Sequence, residues 1–129
     1  GQPADYRAAV IAFESMLREF PDTKYAEEAE YLVVRSQYMF AENSAFFRQE
    51  ERYNDAIDYY QDFVQNYPES KYVKELDVLR RSAERKIALA VKQTDQMNEA
   101  RKKHEEELGI SGAAGAANGA VTNGEQTQQ

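Results

Sequence analysis

Apolar side chains recur every three or four residues along most of the chain, which is the spacing of side chains on one face of a helix. The first run consists of Tyr6, Val10, Phe13, Leu17 and Phe20. Similar runs follow, and together they predict helices over about residues 5–20, 23–42, 50–67 and 70–107. No segment alternates apolar and polar residues as a half-buried strand does. The pattern therefore predicts an all-α fold.

Proline and composition divide the chain into segments. Pro21 and Pro68 each follow an apolar run, and because proline cannot continue a helix they mark the ends of the first and third helices. The fourth predicted helix meets neither glycine nor proline before Gly109. Residues 109–129 have almost no large apolar side chain, so we expect a disordered low-complexity tail after a folded part of residues 5–108. Residues 1–4 are expected to be an N-terminal leader or an expression remnant.

The sequence repeats itself after 47 residues. Six residues recur unchanged, so that Tyr6, Ala9, Pro21, Lys24, Tyr25 and Glu28 return as Tyr53, Ala56, Pro68, Lys71, Tyr72 and Glu75. The spacing of tyrosine, alanine, aromatic residue and proline resembles the second helix of a tetratricopeptide repeat. The small alanine lets a neighbouring helix approach, and the rings fill the groove between the two helices. We therefore expect tetratricopeptide-type helical pairs ending in one long C-terminal helix, with most of the nine tyrosines and six phenylalanines packed inside.

The repeat is longer than the roughly 34 residues of an ordinary tetratricopeptide unit. We place most of the additional residues in a loop around residues 43–52, between the second and third helices. Phe46 and Phe47 lie in this insertion. Two interpretations stay open for the pair, which can either bind a partner or pack locally beneath the loop.

Charge and cysteine content narrow the range of functions. The formal net charge is −7, and residues 1–68 carry 6 basic and 13 acidic side chains. Such an acidic chain is poorly suited to binding nucleic-acid backbones. Because it contains no cysteine, the sequence has no disulfide, thiolate zinc site or cysteine nucleophile. No apolar run is long enough to span a membrane, so we expect neither nucleic-acid binding nor direct membrane insertion.

The sequence contains no recognisable catalytic motif. Its only histidine, His104, lies in the charged run of residues 101–107, which is typical of a solvated helix surface. We find no zinc-protease motif, calcium-loop spacing or phosphate-binding glycine loop. We therefore predict that the protein is not an enzyme and has no catalytic residue, cofactor or metal site.

Protein binding is the better-supported function, because aromatic and arginine side chains are the types that anchor protein interfaces. Seven residues are candidates, four in the insertion and three on the second helix: Phe46, Phe47, Arg48, Arg52, Tyr31, Arg35 and Tyr38. For Arg35 and Arg52, a salt bridge within the chain is the competing interpretation.

Several segments together resemble one protein family. They are Ala41-Glu42-Asn43-Ser44, Glu50-Glu51-Arg52-Tyr53 and the two corners Phe20-Pro21-Asp22-Thr23 and Tyr67-Pro68-Glu69-Ser70. Over about residues 5–85 they are similar to the C-terminal repeats of BamD-type outer-membrane assembly lipoproteins, most closely those of the Bacteroidetes.

The resemblance implies a non-catalytic scaffold on the periplasmic face of the outer membrane. Its protein partner would be the barrel-inserting subunit of the β-barrel assembly machinery together with that subunit's periplasmic domains. Members of the family carry a lipidated N-terminal cysteine and more repeats, so the chain resembles a C-terminal fragment whose anchor lies outside it. We expect the uncovered apolar face of the first helix to favour self-association.

Two other classes of scaffold protein compete with this interpretation. A periplasmic or cell-envelope tetratricopeptide adaptor unrelated to barrel assembly would share the proline corners. A cytosolic chaperone adaptor that clamps acidic peptides would need several basic or amide side chains on its groove helices. The second helix offers only Arg35 for that purpose, which disfavours the chaperone adaptor.

Overall fold

The computed structural model describes residues 2–109, and these fold into four α-helices without a strand. They are α1 (Pro3–Glu19), α2 (Ala26–Glu42), α3 (Phe46–Asn66) and α4 (Val73–Glu107). The all-α, tetratricopeptide-like fold with a long last helix is confirmed. The expected disordered tail lies outside the described residues, apart from Gly109 at its start.

The first helix begins earlier than the sequence pattern predicts. Pro3 occupies its first turn, where a missing backbone N–H costs no hydrogen bond and the fixed φ suits a helix. The backbone N–H of Gln2 donates to the Asp5 carboxylate at 3.4 Å, so Asp5 stabilises the helix end from inside the first turn. Residues 3 and 4 therefore belong to α1, which begins before the predicted residue 5.

The third helix also begins earlier, at Phe46 instead of Glu50, so the predicted 43–52 loop is too long. Side chains close to the turn hold this additional helical turn in place. Arg52 donates to the Ser44 hydroxyl at 2.7 Å, and Gln49 donates to the carbonyl of Glu42 at 3.4 Å. The link between α2 and α3 is thereby reduced to three residues.

The two proline corners have nearly the same backbone geometry, which supports the 47-residue repeat. Phe20 ends α1 with φ −129° and ψ 66°, and Tyr67 ends α3 with φ −135° and ψ 64°. The backbone N–H of each still closes the last helical turn, at 2.8 Å in both cases. The proline that follows has no N–H to continue the helix, so the chain turns.

A hydroxyl group stabilises the turn at each corner. The backbone N–H of Tyr25 donates to the Thr23 side chain at 3.3 Å, and that of Tyr72 donates to the Ser70 side chain at 3.1 Å. The substitution of serine for threonine between the copies keeps this oxygen. The conserved spacing therefore encodes a specific turn and not only a helix break.

Helix α2 supplies most of the core. It packs against both α1 and α3, and seven of its residues are buried: Ala29, Tyr31, Val33, Val34, Gln37, Tyr38 and Ala41. The other helices each bury one to three residues, namely Val10 in α1, Tyr53, Ala56 and Phe63 in α3, and Leu76, Ala83 and Ala90 in α4. The predicted role of alanine is visible at Ala56, which is 4% exposed within a cluster that includes two tyrosines.

The fourth helix changes character along its length. Up to Ala90 it has buried positions, but from Val91 to Gly109 every residue is exposed. The chain divides into two compact units between Lys92 and Gln93. This agrees with the loss of apolar spacing after Val91 in the sequence.

Lys86 connects α4 to α2 and α3. Its ammonium group donates to the Tyr38 hydroxyl at 2.9 Å and to the Glu42 carboxylate at 2.8 Å. It also lies over the rings of Tyr38 and Tyr53, 5.1 and 5.7 Å from their centroids. A cation held by two π faces and a carboxylate is stabilised more than an ordinary surface lysine.

We predict opposite outcomes for the two tyrosines beneath Lys86. Tyr38→Phe removes hydrogen bonds to Ser82 and Lys86 and should lower the free energy of unfolding by about 1–2 kcal/mol. The buried hydroxyl of Tyr53 has no hydrogen-bond partner among the described residues, so Tyr53→Phe should leave stability unchanged or raise it slightly. Urea unfolding of the two variants tests this, and equal destabilisation would contradict it.

We also predict a loss of stability in strong alkali that depends on Tyr67. Burial, and then the neighbouring Glu30 carboxylate, raises the pKa of Tyr67 from 10.0 to about 12. Between these values the unfolded chain has lost the phenol proton that the folded chain retains, so stability should fall as pH rises. Urea midpoints measured from pH 9 to 12 should fall less steeply for Tyr67→Phe, and an unchanged slope would refute the prediction.

Candidate protein-binding surface

The corner between α2 and α3 exposes two adjacent aromatic rings. Phe47 is 70% exposed and Phe46 is 40% exposed, although both belong to the first turn of α3. Their rings meet edge to face, with centroids 6.2 Å apart. Because they stand on a helix and not on a loop, the backbone already fixes the direction of both side chains.

Two arginines of α3 each lie over a phenylalanine ring, one of this pair and one of α2. The Arg48 guanidinium is 5.9 Å from the centroid of Phe47 and forms a 3.1 Å ion pair with Glu51. The Arg52 guanidinium is 4.2 Å from the centroid of Phe40. We define the α2–α3 corner surface as Phe40, Phe46, Phe47, Arg48 and Arg52.

The first turn of α3 carries partial positive charge. It contains no acidic residue, and no side chain caps it. The backbone dipoles of a helix leave this partial charge at its N-terminus, whereas the charge of Arg48 in the same turn is balanced by its ion pair with Glu51. The remaining donors of Arg48 can still bind an acidic side chain next to the apolar pair.

The three candidates on α2 are placed differently. Tyr31 is 6% exposed, and its ring stacks on Tyr72 with centroids 3.9 Å apart and planes 12° apart. Its hydroxyl donates to Glu75, and Arg35 donates to that hydroxyl at 3.1 Å. Burial is the main reason why the pKa of Tyr31 is raised. This ring therefore packs α2 against α4.

Tyr38 is equally buried, at 6% exposure, beneath Lys86. Of the candidates on α2, Arg35 alone is exposed. Arg35 donates to the Tyr31 phenol and Arg52 to the Ser44 hydroxyl, and within residues 2–109 neither forms the salt bridge that the sequence suggested as an alternative. The structure thus links Phe46, Phe47 and Arg48 in the first turn of α3, places Arg52 over the Phe40 ring, and buries the two tyrosines in the core.

Exposed rings also occur at the first proline corner, where sequence reasoning assigned them to the core. Phe20 is 57% exposed and Tyr25 is 55% exposed. The repeat is the signal that could have identified them. Their counterparts Tyr67 and Tyr72 pack against α2, and among the described residues no helix precedes α1 to cover Phe20 and Tyr25 in the same way.

A small cavity lies between α1, α2 and α3. Its volume is about 160 Å³, and it is lined by Glu14, Leu17, Glu30, Val33, Tyr59 and Asp62. Burial, and then the nearby Glu14 carboxylate, raises the pKa of Tyr59 to about 12, so the phenol stays protonated at neutral pH.

Neither metal binding nor membrane crossing is indicated by residues 2–109. Within that range no three histidine, cysteine or acidic side chains are grouped so that they could hold a metal ion. None of the four helices combines the length and apolar character needed to cross a bilayer. His104 is exposed near the end of α4.

The comparison with known families agrees with the sequence resemblance. Residues 2–104 match the family model described as YfiO, an outer membrane lipoprotein family. No curated protein matches the chain significantly. The family match covers all of α1, α2 and α3 and most of α4. The chain therefore belongs to the YfiO family of outer membrane lipoproteins, the BamD-type family that its sequence resembles.

Proposed function

We propose that the chain is a non-catalytic protein–protein interaction scaffold of the outer-membrane β-barrel assembly machinery, acting at the periplasmic face of the membrane. Its partner in this proposal is the barrel-inserting subunit with its periplasmic domains. The family membership supports the setting. The observation that carries the binding role is the exposed pair Phe46 and Phe47 on the first turn of α3.

This pair has the properties of an interface anchor. Covering a fully exposed phenylalanine side chain stabilises a complex by about 1.5–3 kcal/mol, and Phe47 leaves most of its surface available. Rings held by a helix lose little conformational freedom on binding, so more of this gain is retained. Arg48 lies over the Phe47 ring and can bind a partner carboxylate with its remaining donors.

The fold supports a scaffold in a second way. The four helices form a packed core in which α2 is covered on several sides, so the α2–α3 corner surface is fixed before a partner arrives.

The alternative is a cell-envelope tetratricopeptide adaptor with a different partner. The same surface would serve that role, since exposed aromatic rings and arginines do not identify the protein they bind. The two proposals differ in which protein the full-length chain binds. Self-association is a further proposal, and the half-exposed Ile11 on α1 is the residue whose burial would favour it.

We predict that Phe46→Ala combined with Phe47→Ala weakens binding to the periplasmic domains of the barrel-inserting subunit by about thirtyfold, as expected when about 2 kcal/mol of anchor contacts are lost. Isothermal titration calorimetry with the full-length protein measures the change. Because both rings are exposed, the double variant should keep the circular dichroism spectrum of the wild type.

The matched control is a pair of equally exposed apolar residues on α4. Val78 is 55% exposed and Leu89 is 56% exposed, so Val78→Ala with Leu89→Ala removes exposed apolar side-chain atoms away from the corner. The control should bind as the wild type does. Equal affinity of all three proteins would refute the α2–α3 corner surface. Failure of the wild type to bind these domains would favour the adaptor alternative.

A further inference from the structure

The outward side of α4 carries a row of cationic and aliphatic side chains. Six exposed residues follow one another at spacings of four, three, four, four and three, which places them on one face of the helix. This face lies opposite the side of α4 on which Leu76, Ala83 and Ala90 are buried. We call the six residues the α4 stripe: Lys74, Val78, Arg81, Arg85, Leu89 and Lys92.

The α4 stripe is a continuous exposed surface on a packed helix. It is about 27 Å long at the helical rise of 1.5 Å per residue, and it lies entirely within the compact unit of residues 1–92. Its two large apolar residues, Val78 and Leu89, are 55% and 56% exposed. The buried side of the same helix holds the stripe in place, so its side chains face solvent from a fixed backbone.

The acidic residues beside the α4 stripe are bonded to groups outside it. Arg80 forms ion pairs with Asp77 at 2.7 Å and with Glu84 at 3.0 Å. The Glu75 carboxylate accepts a hydrogen bond from the Tyr31 hydroxyl of α2. Arg80 is not part of the stripe, so it balances two neighbouring carboxylates without using a cation of the stripe.

The cations of the α4 stripe are correspondingly available. Arg81 shares Asp77 at 3.0 Å. Lys74, Arg85 and Lys92 form no ion pair with any other residue of the 2–109 range. The stripe itself contains no carboxylate, so it is a positive surface on a chain whose formal net charge is −7.

The residue types of the α4 stripe favour a lipid partner over a protein partner. Protein interfaces are typically anchored by aromatic rings, and the stripe has none. It combines long cationic side chains with aliphatic ones, as do helices that lie in the head-group region of an anionic bilayer. On such a surface the alkyl stems and the aliphatic side chains contact the apolar boundary while the charges meet phosphate groups.

We propose that the α4 stripe docks on the surface of a bilayer that contains anionic phospholipids, with α4 parallel to the membrane plane. The four cations are complementary to the phosphate head groups, and each contributes to binding. Val78 and Leu89 enter only the outer part of the apolar layer, so the contact is peripheral. This proposal does not depend on the barrel-assembly role.

The family and the charge of the other helices support this docking. The chain belongs to a family of outer membrane lipoproteins, so a lipid surface is expected close to it. Residues 1–68 carry 13 acidic and 6 basic side chains and are repelled by an anionic surface. Because this negative charge belongs to α1, α2 and α3, the repulsion favours the orientation in which α4 faces the membrane.

Fluorescent labels test the orientation. The chain contains no cysteine, so one introduced cysteine can carry an environment-sensitive fluorophore at a chosen position. Leu89→Cys puts the label in the α4 stripe, and Ile11→Cys puts it on α1 at a similar exposure, 49% against 56%. Vesicles of equal parts phosphatidylglycerol and phosphatidylcholine should shift the emission of the Leu89 label to shorter wavelength and leave the Ile11 label unchanged. Pure phosphatidylcholine vesicles should shift neither.

Charge variants test the cations by vesicle flotation of the chain of residues 1–129. Arg85→Gln with Lys92→Gln removes two unpaired cations of the stripe and should weaken binding to the anionic vesicles by about thirtyfold. The matched control, Arg18→Gln with Lys24→Gln, changes the net charge equally at exposed positions outside the stripe. It should weaken binding by no more than about threefold, because distant charges are screened.

Three results would overturn the proposal. The first is that anionic vesicles do not shift the Leu89 label. The second is that they shift the Ile11 label equally, and the third is that both charge variants lose the same affinity. If soluble polyglutamate shifts the Leu89 label and vesicles do not, the occupant is an acidic protein segment. If the shift appears only on concentrating the chain without vesicles, the occupant is a second copy.

Discussion

The structure depends on the burial of α2. This helix has seven buried residues and is contacted from α1, α3 and α4, while no other helix buries more than three. The one buried polar side chain of this helix, Gln37, donates to the carbonyl of Arg52 on α3 at 3.1 Å, while its Oε1 has no partner among the described residues. Both buried clusters contain residues of α2, so loss of α2 packing would disrupt both.

Much of the fold could be predicted because helix periodicity and proline are local signals. The four helices, the two corners and the packing role of Ala56 follow from spacing alone. The start of α3 does not, because Phe46 enters a helix that is fixed by bonds from Arg52 to Ser44 and from Gln49 to the end of α2. Such side-chain bonds are specific to one geometry and leave no periodic trace in the sequence.

The candidate surface was predicted less completely, for a related reason. Residue type favours Tyr31 and Tyr38 as anchors, yet their burial is caused by Tyr72 and Lys86, more than forty residues away. Periodicity cannot report a contact at that separation. Phe46 and Phe47 were easier to identify because their surroundings in the sequence are polar, and exposure follows from that. The repeat held additional information, since it pairs the covered Tyr72 with the uncovered Tyr25.

The position of Lys86 has a consequence for its chemical reactivity. Burial alone would lower the pKa of this amine, but hydrogen bonds to Glu42 and Tyr38 outweigh it and raise the pKa above its ordinary value of 10.5. Only an unprotonated amine attacks an acylating reagent, so Lys86 should be modified far more slowly than lysines in open solution. When α4 separates from α2, this protection is lost. The acylation rate of Lys86 therefore reports how often α4 separates from α2.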